Sequence, residues 1–141
     1  MSNFQKKAES KLMDMRFGCD SLIALATVED GIPSVRAVNS YYEGGSFYVI
    51  TYARSGKMRA ISKDPHVGIC GDWFTGHGIA ENLGHILNPS HTELADKLRT
   101  VFYEWYNNGH VNEDDPNTII LRIRLTDGVL FDHGNRYDLT F

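Results

Sequence analysis

The chain has 141 residues, 42% hydrophobic and 23% charged, with a formal net charge of −4. That size fits one globular domain spanning 1–141, enough to bury about 68–70% of the unfolded surface without disulfide or metal staples. The acidic balance argues against nucleic acid or an anionic membrane as a partner, and with no apolar run of transmembrane length and no signal-peptide centre in "MSNFQKKAESKLMDMRF" the expected setting is cytoplasmic.

Phe4, Ala8, Leu12 and Met15 are spaced like one face of a short N-terminal helix. The period then changes. "SLIALATV" (21–28) reads as a buried strand, "EDGIP" (29–33) as a turn carried by Asp30-Gly31, and "SVRAVNSYY" (34–42) as an alternating strand. After a turn at "EGG" (43–45), "SFYVITY" (46–52) makes a third strand, completing an antiparallel meander. "SGKMRAISKD" (55–64) fits a short helix with Ser55 as N-cap and Met58 and Ile61 on one face. "PHVGICGDWF" (65–74) and "GHGIAENLGHIL" (76–87) read as strands four and five, the glycines of the latter marking a bulge or a close backbone approach. Ser90 and Glu93 form a capping box after Pro89, and Leu94, Leu98, Val101, Phe102 and Trp105 follow at helical spacing. "TIILRIRLTDGVLFD" (118–132), with Ile119, Leu121, Ile123 and Leu125 alternating, is a last strand or hairpin. Many short strands with a few helices indicate a small β-barrel of α+β type.

Chemistry concentrates around "TYARSGKMRA" (51–60). Backbone N–H groups at a helix start suit a phosphate. Gly56 permits close approach, Lys57 adds charge and Ser55 a hydroxyl, although the stretch is not a Walker A loop. Taken alone it fits a phosphate-binding turn or a capped surface helix with a solvated lysine. Arg36 lies inside the 34–42 strand between Val35 and Ala37, where a charge needs a reason. A meander brings it toward the strand leading into Ser55, so it either reaches an anion at the helix start or snorkels on a wet sheet face. Trp73 fits core, interface or the wall of a flat-ligand site, and Trp105 reads as helix core from its spacing. Cys19 and Cys70 form no CxxC and read as reduced thiols, and the six histidines are scattered, so no metal site is expected.

Residues 23–86 resemble the FMN-binding split barrels related to pyridoxamine 5′-phosphate oxidase, most closely the small general-stress-protein branch. The resemblance rests on several motifs in register: "ALATV" with "DG-P", the arginine strand, "Y-x-x-T" ending at Thr51, "S-x-K" at Ser55 and Lys57, "D-P-x-V" at Asp64, and "G-x-A" at Gly78. It implies a six-stranded antiparallel split β-barrel, mainly β within the α+β class, with flanking helices. It also implies a homodimer with FMN at the subunit interface, acting on a small-molecule redox substrate. Arg36 matches the arginine that holds the FMN phosphate, Ala37, Val38 and Asn39 the backbone along the flavin, Thr51 and Tyr52 the end of the next strand, and Ser55 and Lys57 the phosphate turn. Trp73 falls where the oxidase places a glutamine near the ring from the other subunit. Two departures stand out. Gly56 replaces an arginine, for which Arg54 or Arg59 would compensate, and Tyr41 replaces a lysine that meets the substrate phosphate. "DHGNRYDLTF" (132–141) also lacks the oxidase's substrate-binding arginine and histidine pattern. The resemblance thus implies a flavoprotein, an FMN-dependent oxidoreductase with a substrate other than pyridoxamine phosphate. The alternatives are a non-catalytic module holding haem, with His77 or His133 as ligand, or a deazaflavin.

Overall fold

The computed structural model describes residues 3–141, with side chains from Lys6 onward, so Phe4 lies outside the described side chains. Helix α1 (Asn3–Phe17) buries Glu9, Met13 and Phe17, an i, i+4 series. Of the face expected from the spacing, Leu12 packs partly buried against the core, while Ala8 is exposed and Met15 is 71% exposed. Phe17 sets this rotation. Its ring lies 5.5 Å from Phe47 and 5.7 Å from Phe74, so the last residue of the helix plugs the core and fixes the residues one and two turns before it.

Strands β1 (Ser21–Glu29), β2 (Ile32–Glu43) and β3 (Ser46–Tyr52) form the expected meander. Its two turns have positive φ at both central residues, 53° and 79° at Asp30-Gly31 and 58° and 86° at Gly44-Gly45, the mirror-image geometry that matches strand twist. Helix α2 (Gly56–Lys63) begins at Ser55 as expected and buries Met58 and Ile61. β4 (His66–Gly71) and β5 (Phe74–His85) form a tight hairpin. The turn falls at Asp72-Trp73, with Trp73 at φ 51°, earlier than the break expected between residues 74 and 76.

The expected capping box at Ser90 and Glu93 does not form. Asn88 accepts the Ser90 N–H at 3.0 Å and starts a 3₁₀ turn over Pro89–His91. Helix α3 (Thr92–Val101) follows with no side-chain cap, and ends before Phe102 and Trp105, which continue in turns. Leu98 and Phe102 are fully buried and, with Ile86 and Ile120, build a second core on the outside of the sheet. β6 (Thr118–Asp132) is one long strand, and β7 (Asn135–Thr140) is an element the sequence analysis did not anticipate. The turn between them, His133-Gly134, has φ 48° and 80°, the same mirror-image turn written with an uncommon first residue.

The strands are hydrogen-bonded in the order β3-β2-β1-β4-β5-β6-β7, and an additional β3–β6 pairing closes the first six into a ring with β7 appended to β6. All pairings are antiparallel. The chain therefore adopts the six-stranded split barrel, mainly β, with one extra strand and flanking helices. Leu25, Phe47, Leu121, Ile123 and Leu130 are fully buried in its interior. Gly76 and Gly78 of β5 permit the close approach expected there, Gly128 of β6 does the same, and the β5–β6 register shifts between His77 and Gly78. Cys19 and Cys70 are both free. Among the described residues no helix is long and apolar enough to cross a membrane.

A Cβ on Gly128 would lie 2.6 Å from Cε2 of Phe74 and 3.1 Å from the Thr75 carbonyl oxygen. Gly128→Ala is therefore expected to cost about 1–3 kcal/mol by overpacking, read as a lower urea midpoint. Part of the loss should return in the Gly128→Ala, Phe74→Leu double variant.

Candidate functional site

β2 and β3 pair only over Tyr41–Glu43 with Ser46–Tyr48. Before Tyr41, β2 has β1 as its sole partner; beyond Tyr48, β3 has only β6. The two strands diverge, and β2 presents an open edge of backbone donors and acceptors. The slot between them is a groove of about 290 Å³ lined by Val38, Asn39, Val49, Ile50, Thr51 and Lys57, and from the far side by Trp105, Asn108 and His110. A second groove, also of about 290 Å³, lies on the other side of the α2 N-terminus and includes Ser34, Arg36, Gly56 and Arg59.

Both grooves meet the first turn of α2. The Ser55 hydroxyl accepts the Met58 N–H at 3.3 Å, which leaves the Gly56 and Lys57 amides without a partner among the described residues. Lys57 Nζ donates to the Thr51 hydroxyl and, at 3.4 Å, to that of Ser55. Arg36 shares the inward face of β2 with Ser34. Its guanidinium donates to Thr27 Oγ1 at 2.7 Å and to the Leu25 carbonyl at 3.2 Å. No carboxylate pairs with Arg36 or Lys57 among the described residues. Burial, with Arg36 adding repulsion, holds Lys57 below the usual lysine range, and burial lowers Arg36 as well. Two half-buried cations thus face free helix amides with no anion to balance them, an arrangement that an added anion would relieve.

Glu29 and Asp30 line the second groove, and Glu29 is already engaged. Arg59 reaches it at 3.0 Å and Lys63 at 3.5 Å, and the Arg59 hydrogen bond is the main reason its carboxyl lies below the usual carboxylate range. Gly56 is not sterically required, since the nearest atom to a Cβ there is Arg59 Nη2 at 4.0 Å. Arg54 and Arg59 are both exposed, and Arg59 is the one that approaches the turn.

Of the residues singled out from sequence, Arg36, Thr51, Ser55 and Lys57 come together here, with Val38 and Asn39 along the same slot. Ala37 points to the opposite face and Tyr52 is 44% exposed beside it. Trp73 is elsewhere: its turn lies by the N-terminal end of β1, with the indole 72% exposed against Phe131 at 6.5 Å. His77 is bonded to Asp127 at 2.9 Å and His133 sits on the last hairpin turn, so neither lines the slot. The histidine that does is His110.

Trp105, Asn108 and His110 were not legible as site residues. They belong to the segment after α3, which is fastened by Glu113. Arg99 donates to both Glu113 oxygens at 2.8 and 2.9 Å, and the Tyr106 hydroxyl donates to the same carboxylate. The Arg99 contact is the largest influence holding Glu113 below the usual carboxylate range, while burial and then Glu113 push Tyr106 up.

A family model described as pyridoxamine 5′-phosphate oxidase matches residues 17–130. No curated protein sequence matches the chain. Among solved structures, a NimC/NimA family protein from Clostridium acetobutylicum is 17% identical with a TM-score of 0.69, covering 93% of this chain and 94% of that one. General Stress Protein 26 from Bacillus anthracis is likewise 17% identical with a TM-score of 0.69, covering 93% and 98%. An FAD-binding protein from Mesorhizobium loti is 15% identical with a TM-score of 0.65, covering 91% and 92%. At these identities the structural likenesses establish the shared fold.

Glu113 supplies a pH test of the segment's anchoring. Its folded pKa is depressed, so its contribution is complete above the unfolded carboxyl value of about 4.5 and is lost as pH falls through the folded value. Glu113→Gln should lower stability at pH 7 by about 1–2 kcal/mol, after allowance for partial exposure. Denaturation midpoints of variant and parent should converge as the medium is acidified below the folded value.

Proposed function

The chain belongs to the pyridoxamine 5′-phosphate oxidase family, and from that premise we propose that it is a flavoprotein that binds FMN in the β2–β3 slot and serves as an oxidoreductase. One observation carries the reading: Arg36 and Lys57 are unbalanced cations at a helix start, at the end of an open strand edge. A terminal phosphate monoester brings close to two negative charges to that point, which suits FMN better than a diphosphate-bridged dinucleotide. The family fold and the neighbour named as an FAD-binding protein support a flavin-type cofactor.

In this reading Arg36 and Lys57 hold the phosphate oxygens, with the Gly56 and Lys57 amides completing the cradle. Ser55 caps α2 and shares its hydroxyl with Lys57. Thr51 fixes the Lys57 ammonium. Ala37, Val38 and Asn39 offer backbone groups along the open edge of β2, and Tyr52 flanks the exit of β3. Bound FMN would supply hydride or single-electron transfer. The chain's own part is to bind, orient and shield. Tyr41, packed against the second core, stands where the oxidase's phosphate-binding lysine is expected, so the substrate is a small molecule other than pyridoxamine phosphate.

The second subunit is argued from the outer sheet face. Leu22, Ala24, Ala26 and Val28 of β1 lie beside Asn39, Ala37, Val35 and Pro33 of β2. Leu22 is 65% and Val35 67% exposed, and a groove of about 360 Å³ crosses the same face. We place a homodimer interface there, with the partner's Trp73 closing the flavin site from outside. A single domain in a cytoplasmic setting, with neither nucleic acid nor membrane as partner, completes the reading. The neighbour named F420 reductase, 20% identical with a TM-score of 0.60, keeps a deazaflavin as the second reading. Competition between FMN and a deazaflavin for the slot separates the two.

The purified protein is expected to bind FMN and gain about 2.7 kcal/mol at a hundredfold excess over Kd. Arg36→Ala and Lys57→Ala should each weaken FMN binding about 10- to 100-fold, while riboflavin, which lacks the phosphate, should be affected far less. FMN affinity unchanged in both variants would sink the assignment. Val35→Asp should convert the dimer to monomer in sedimentation; a variant that sediments like the parent excludes this face as the interface.

A further inference from the structure

Trp105 is half-buried and lines the slot together with Lys57, Thr51, Val38 and Asn39. Its indole N–H donates to Asp20 Oδ2 at 2.9 Å. The other oxygen of the same carboxylate accepts from Asn39 Nδ2, also at 2.9 Å. One acid therefore ties the segment after α3 to the open edge of β2, across 85 residues of sequence on one side and 19 on the other. Behind the indole, Phe102 lies 4.9 Å away at 35° and Tyr106 6.2 Å away at 34°. Phe102 is fully buried, and Tyr106 is anchored in turn by Glu113. The tilt of the indole is thus set by a ring behind it, a hydrogen bond at its edge and a braced backbone.

A tryptophan held for core packing alone has no use for this arrangement. A buried indole N–H needs a partner, but here the partner also grips the strand that borders the slot, and the side chain lines the cavity instead of filling it. Of the two cations, Lys57 lines the slot together with the indole, and Arg36 lines the adjoining groove. That placement puts charge recognition and planar recognition on separate side chains. An electron-rich indole suits the face or edge of a flat, electron-poor heterocycle.

From this geometry we infer that Trp105 is the aromatic wall for the ring end of the ligand, and that Asp20 is the positioning residue that holds it in place. The inference rests on the flavin reading above, and the isoalloxazine is then the ring it meets. Asp20 touches the indole and the Asn39 amide, so it acts on the ligand only through them.

The test compares FMN and riboflavin on the full chain and on Trp105→Ala, Trp105→Phe, Trp105→Leu, Asp20→Ala and the Asp20→Ala, Trp105→Ala double variant. Affinity and the emission of the bound flavin are both read, with urea midpoints alongside. Indole contact quenches flavin emission by electron transfer, and Trp73→Phe is carried in parent and variants alike so that the change in emission reads Trp105. Trp105→Ala should weaken FMN and riboflavin by the same factor, about tenfold, and raise the bound emission, whereas loss of Lys57 acts on FMN selectively. Trp105→Phe should recover most of the affinity. Asp20→Ala should move both readouts in the same direction, and the double variant should be less than additive. If Trp105→Ala does not fold, the emission of Trp105→Phe against Trp105→Leu decides the matter. A parent that binds FMN, with affinity within twofold and emission unchanged in the Trp105 variants, overturns this inference alone. A parent that binds no FMN overturns the flavin reading and this inference with it.

Discussion

The hydrogen bonds that β2 and β3 do not make govern the rest of the molecule. Their ladder stops after three residue pairs, from Tyr41–Tyr48 to Glu43–Ser46. A barrel with a broken seam must close elsewhere, and β3 finds its second partner in β6 over seven pairs. What remains is a slot with an unpaired strand edge on one wall. Every element around it answers that opening. α2 starts at its mouth, and the segment after α3 crosses its far side.

The electrostatics of the opening follow from the same geometry. Arg36 lies on the stretch of β2 that β3 leaves unpaired. Its guanidinium donates to the Thr27 hydroxyl and the Leu25 carbonyl of β1, neutral acceptors that leave its charge uncompensated. Lys57 is treated likewise by Thr51 and Ser55. The neighbouring Arg59 and Lys63, by contrast, converge on Glu29. Around the α2 start the chain balances two cations, Arg59 and Lys63, and leaves two, Arg36 and Lys57, unbalanced. Such local cost is tolerated in proteins where a ligand offsets it.

Legibility in the sequence tracked how local the determining interactions are. The meander, the Ser55 cap and the two glycine turns were readable because neighbours within a few residues decide them. Arg36 and Lys57 were readable because a charge inside a strand and a lysine behind a cap are both out of place. The rotation of α1 was not, because it depends on where Phe17 meets Phe47 and Phe74. β7 was missed because His133-Gly134 writes a familiar turn with an unfamiliar residue. Trp105 packs on the second core, as its spacing indicated, but its place beside the slot was not legible for a deeper reason. The spacing of Leu98, Phe102 and Trp105 is the same whether or not the last ring also borders a cavity, and the groove beside Trp105 is closed by strands far away in sequence.

β6 carries one more consequence. It pairs with β3, β5 and β7, and it is the last of the ring-forming strands along the chain. As the polypeptide leaves the ribosome, β1 to β5 can pair among themselves only as an open sheet, its edges at β3 and β5 unsatisfied and its apolar concave side uncovered. The order of synthesis therefore runs against the order of closure. A chain stalled before residue 118 presents two adhesive borders and no lid, the form in which sheet proteins join one another instead of themselves.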